Sequence, residues 1–122
     1  MKSKIKSFED ACKALKIDSK KTPDVSMIPE KHQKSIIAYY KLIIIAEALN
    51  EGWVPDWENR AEYKYFPWLS FSSGSGFRYD VYVVWSTYAG VGSRLCFKSA
   101  LLAEYAAKQF VEEYNDYIML EK

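Results

Sequence analysis

Tyr63-Lys64-Tyr65-Phe66-Pro67-Trp68-Leu69-Ser70-Phe71, then Ser73-Gly74-Ser75-Gly76, then Phe77-Arg78-Tyr79-Asp80-Val81-Tyr82-Val83-Val84-Trp85, is where the hydrophobic period of the chain drops to two. Tyr63, Tyr65, Leu69 and Phe71 alternate with Lys64, Phe66, Trp68 and Ser70, which predicts a strand with one face toward a core. Pro67 cannot donate to a ladder, so it forces an edge position or a bulge. The Ser73–Gly76 stretch predicts a hairpin turn, its glycines supplying positive φ. Phe77 to Trp85 alternates cleanly and predicts a second strand. Ala89-Gly90-Val91-Gly92 predicts a further turn, and Arg94 to Lys98 a short third strand.

Helical periods lie on both sides of this block. Upstream, Ser7-Phe8-Glu9-Asp10 has the form of a capping box, and Phe8, Ala11, Cys12 and Leu15 repeat at helical spacing. Pro23 closes the loop region 18–28 to helix. Pro29 suits a first helical position, and Gly52 the left-handed stop of a long helix ending near Glu51. The run Leu42-Ile43-Ile44-Ile45-Ala46 is apolar nearly all round, which places that helix centrally. Downstream, Ser99 caps a predicted last helix of about twenty residues with Leu102, Ala103, Ala106, Phe110 and Tyr114 on one stripe. The expectation is a single α+β domain over residues 1–122, with residues 1–6 flexible. Its order is α-α-β-β-β-α: a three-stranded antiparallel meander packed with two long helices and one short N-terminal helix.

Composition sets limits on what such a domain does. Ten Tyr, six Phe and four Trp in 122 residues supply large apolar bodies with polar tips, suited to a small core and equally to a binding surface. Residues 1–34 hold nine lysines against five acids, and residues 99–122 hold two against five. A basic front and an acidic tail can pair, within one chain or between two. The net charge of +1 argues against a protein held mainly by phosphates. The two cysteines, Cys12 and Cys96, sit in buried patterns and read as free thiols of a reducing compartment. The N-terminal lysines lead into an amphipathic segment rather than an apolar run, and Ile36–Leu49 is too short and too charged to span a bilayer. A cytoplasmic location follows as the expectation.

Several stretches carry a resemblance. They are Glu30-Lys31-His32-Gln33, the run from Tyr40 to Trp53, Pro55-Asp56-Trp57, Lys64-Tyr65-Phe66-Pro67-Trp68, and the run from Val91 to Ser99. Together they resemble small uncharacterised proteins carried by bacteriophages and prophages of gut bacteria. The resemblance covers most of the chain. It implies a bacterial host cell and an accessory or counter-defence role, and it implies no chemistry.

The chemistry-bearing residues point the same way. His32, the only histidine, lies in a polar helix start with no Cys or second His at ligand spacing, and no nucleophile-elbow pattern accompanies it. No catalytic group, metal or cofactor is expected. Gly90-Val91-Gly92-Ser93-Arg94 has amides and a guanidinium that can meet an anion, although such loops usually precede a helix and this one precedes a predicted strand. Trp53, Trp57, Trp68, Trp85, Tyr63 and Tyr88 border the sheet, where they either plug its ends or form a platform with Arg78 and Arg94. The candidate binding residues are therefore Trp57, Tyr63, Trp68, Arg78, Tyr88, Gly90, Gly92, Ser93 and Arg94. The expected function is non-catalytic binding, most simply of a protein partner. The alternatives are a nucleotide-like ligand held by aromatic stacking plus Arg94, and a single-stranded nucleic acid. An uncovered aromatic sheet face would also invite a homodimer.

Overall fold

Ser7 Oγ accepts the amide of Asp10 at 3.1 Å, and Asp10 Oδ2 in turn accepts the amide of Lys6 at 3.0 Å. This reciprocal cap starts α1 (Phe8–Leu15). The computed structural model describes residues 3–72, 74, 76–86 and 93–119, without the side chains of residues 72, 77–86 and 93. Lys16 ends α1 in the left-handed region at φ 59°, with Ile17 N donating to Cys12 O at 2.9 Å. That is a Schellman closure made without glycine. Residues 3–6 are tied to the far end of the chain: Tyr105 Oη donates to Ile5 O at 2.6 Å and Gln109 Nε2 to Lys6 O at 2.9 Å.

The long helix α2 runs Glu30–Asn50 behind Pro29. Its left-handed stop falls on Glu51 at φ 48°, one residue before Gly52, which also has positive φ. Leu42, Ile45, Ala46 and Leu49 are buried on α2 among Phe8, Ala11 and Cys12 of α1. Phe8 meets Tyr40 edge-on at 6.1 Å, and the ammonium of Lys41 lies 5.5 Å over the Phe8 ring. Ile43 and Ile44 are only partly buried, so the apolar run is not enclosed on every side.

The three-stranded meander does not form. β1 (Tyr65–Ser72) and β2 (Gly76–Ser86) make a two-stranded antiparallel hairpin, which holds both strands found among the described residues. Among the described residues four α-helices dominate the chain. The register runs Tyr65↔Ser86 to Pro67↔Val84, then resumes at Leu69↔Tyr79 and ends at Ser72↔Gly76. The ladder thus breaks immediately after Pro67, with Trp68 alone set against residues 80–83. Gly74 and Gly76 carry positive φ at the turn.

The predicted third strand is a 3₁₀ turn, Ser93–Leu95, followed by a single bridge between Phe97 and Tyr65. Two features explain the correction. Leu95, Cys96 and Phe97 are buried in succession, whereas a half-buried strand hides every second residue. The backbone around them is also held from the side by the buried Asn50 of α2. Its Nδ2 donates to Cys96 O at 2.9 Å and its Oδ1 accepts Lys98 N at 3.1 Å.

The last predicted helix is two. Ser99 Oγ accepts Leu102 N at 3.2 Å and opens α3 (Ala100–Gln109). Phe110, at φ −113° and ψ 32°, breaks the helix before α4 (Val111–Ile118). Phe110 is buried and meets Tyr105 edge-on at 6.4 Å, so packing of the ring fixes the joint. α4 lies along α2, where Ser35 Oγ donates to Tyr117 O at 2.6 Å and Tyr39 stacks on Tyr117 at 5.2 Å. The basic front and acidic tail meet here: Lys34 and Asp116 are 3.8 Å apart. A cleft of about 520 Å³ between the two helices is edged by Lys34 and Lys41 on one side and Glu112, Glu113 and Asp116 on the other. No described helix is long and apolar enough to cross a membrane.

Candidate functional site

The loop between α2 and β1 is built around a lysine. Lys64 is 1 % exposed, and its ammonium donates to Asp56 O at 2.6 Å, Asn59 O at 2.9 Å and Glu62 O at 3.2 Å. Three carbonyls meet the three donors of one ammonium, which is what burial of this charge requires. Glu62 Oε1 stands 3.3 Å from the same nitrogen and also accepts the amide of Asp56 at 2.8 Å. The Asp56 amide, with lesser help from Lys64 and the nearby Trp53 side chain, holds the Glu62 carboxyl below the usual glutamate range. The Trp57 ring covers the ammonium at 5.2 Å. Asp56 Oδ1 and Asn59 Oδ1 each accept an amide two residues on, from Glu58 and Ala61, and tighten the turns between these carbonyls.

This loop forms one wall of a groove of about 420 Å³. Trp53, Val54, Pro55 and Trp57 face Ile43, Ile44, Ala46, Glu47 and Asn50 of α2, and Arg94 and Cys96 close the remaining side. Aliphatic and aromatic side chains make up most of the lining. Val54 is 77 % exposed and Trp57 38 %, so the wall is open to a visitor. Arg94 and Glu47 bring one positive and one negative side chain to the same groove. Neither makes an ion pair among the described residues.

Of the sequence candidates, Trp57 and Arg94 are brought together in this groove. Tyr63 stands apart, 55 % exposed, with its ring 6.0 Å from Tyr65. Trp68 lies on β1 beside Phe66 at 6.4 Å, 49 % exposed, and does not line the groove. Arg78 is on β2 paired with Ser70, and Ser93 opens the 3₁₀ turn; neither side chain is described. Tyr88, Gly90 and Gly92, and with them the predicted anion-binding turn, lie outside the described residues. His32 is exposed in the first turn of α2. Both cysteines are buried as thiols outside any disulfide, and burial pushes both above the usual cysteine range, with Glu9 and then Asp18 adding to the effect at Cys12.

The candidates that sequence reasoning missed are Ile43 and Ile44, read as part of a central helix, and Lys64, read as one of the residues alternating with Tyr63 and Tyr65. The signal for the isoleucines was the nearly all-round apolar run itself, which leaves some side of α2 without a partner. For Lys64 the only signal was one cation set among aromatics from Tyr63 to Trp68. Comparison with protein-family models, curated proteins and solved structures finds no match to this chain.

Proposed function

We propose that this chain is a non-catalytic binding protein, a phage or prophage accessory protein in the setting its resemblance implies. It acts by seating an apolar segment of a partner protein in the Trp53–Trp57 groove. One observation carries the reading: two tryptophans, Val54 and Pro55 form an open apolar wall opposite the aliphatic face of α2, with Arg94 and Glu47 in the same groove. Aromatic and aliphatic surface with a few placed charges is the composition of a recognition hot spot. Opposite charges in one groove suit a polypeptide segment with charges of both signs, whereas Glu47 would repel a polyphosphate.

A photo-crosslinking residue placed at Val54 and expressed in the bacterial host should give one dominant protein adduct, while the same residue at the exposed Lys20 gives none. Equal labelling at the two positions would refute the assignment. A second reading, a nucleotide-like ligand, is favoured by Trp57 and Arg94 sharing the groove. Under it, native mass spectrometry finds a retained small molecule, and Arg94→Ala weakens its binding by at least about tenfold.

A further inference from the structure

We propose that Lys64, paired with Glu62, is the positioning residue of the groove, fixing both of its tryptophans through a carbonyl cage that is selective for an alkylammonium ion. The inference rests on the groove reading for its functional meaning. Its physical content stands on the cage alone.

The ammonium binds carbonyls at three points of the loop, Asp56, Asn59 and Glu62, at 2.6, 2.9 and 3.2 Å. Without the cation, these oxygens converge on a site that no other described donor fills, and their mutual repulsion opens the loop. Trp57 uses one ring face to cap the ammonium while lining the groove. Trp53 lines the same groove, and its side chain lies near enough to Glu62, the carboxylate that stands 3.3 Å from Lys64, to help hold that carboxyl ionised. Both tryptophans are therefore referred to one ion pair. That pair is anchored to the core, because the next residue, Tyr65, exchanges backbone hydrogen bonds with the buried Phe97 at 3.1 and 2.6 Å.

An apolar side chain of similar length would fill the space and strand the carbonyls, so packing alone does not reproduce the loop. This separates a positioning role from ordinary core filling. Truncation to alanine leaves a cavity shaped for the missing propylammonium, with its acceptors in place.

The test uses the full chain labelled with 5-fluorotryptophan and read by fluorine NMR. In Lys64→Ala the Trp53 and Trp57 resonances should leave their native positions while the Trp68 resonance, on the hairpin, stays. Adding n-propylammonium chloride at tens of millimolar should return both, and n-propanol should not. Lys64→Met should show the same displacement with no response to the amine. Glu62→Gln should move Trp53 and Trp57 together. If Lys64→Ala does not fold, recovery of the native spectrum on adding n-propylammonium supports the cage, and failure to recover overturns it. Unchanged tryptophan resonances in Lys64→Met, or rescue by propanol equal to that by the amine, also overturn it. The readout needs no partner, so a groove that binds nothing would leave these results intact and fail only the crosslinking experiment.

Discussion

Asn50 shows how one buried polar side chain can replace an element of secondary structure. Its amide supplies both a donor and an acceptor to residues 96–98, inside the predicted third strand. Asn50→Ala should cost roughly 2–4 kcal/mol, because it leaves Cys96 O and Lys98 N without these partners in a largely dry place. Urea denaturation would measure this, and a loss under about 0.5 kcal/mol would show that water substitutes freely. The residues that cap helices were legible in the sequence: Ser7 and Ser99 each accept the expected amide. Trp57 and Arg94, candidates because large aromatics and a guanidinium at loop positions point to recognition, come to one groove, whereas Tyr63 and Trp68 do not line it. Lys64 was not legible. Its partners are main-chain carbonyls, which have no sequence signature, and a lysine between two tyrosines reads as the wet side of a strand.

Among elements, the hairpin depends on one close approach. A Cβ added at Gly76 would stand 2.5 Å from Asn115 Oδ1 of α4, whereas one added at Gly74 would meet nothing within 4 Å. Both glycines have positive φ, so alanine is strained at either. Gly76→Ala should cost about 1–3 kcal/mol and Gly74→Ala only the smaller backbone share. Equal midpoints for the two variants in thermal unfolding would show that Asn115 yields without cost. Helices α1 and α2 and the hairpin were readable because period and punctuation agree there. The break between α3 and α4 was not, because Phe110 continues the apolar stripe and neither glycine nor proline marks the joint. The third strand failed for a related reason: Leu95-Cys96-Phe97 is apolar without alternating, a pattern that a buried turn satisfies as well as a strand.

Across the whole molecule, the charge asymmetry of the sequence reappears as the cleft between α2 and α4. Burial raises the Glu113 carboxyl above the usual glutamate range; nearby Lys41 opposes the shift, and Glu112 and Asp116 add to it. A raised carboxyl favours the protonated form in the fold. Its ionisation therefore costs stability above the folded-state value and costs nothing below the unfolded one. Glu113→Gln should stabilise the protein at pH 7 and leave it unchanged at pH 3, as denaturation midpoints at the two pH values would show. Glu62 has the opposite sign, its contribution being complete at neutral pH and lost as pH falls through its depressed value.

The hydrogen bonds from Tyr105 to Ile5, Gln109 to Lys6 and Ser35 to Tyr117 join residues 100, 103 and 82 positions apart. During synthesis the front half leaves the ribosome first, with the apolar run of α2 uncovered, and it stays so until α3 and α4 follow. These contacts close only once residues 105–117 have been made, so the apolar run of α2 is open to non-native pairing for much of synthesis.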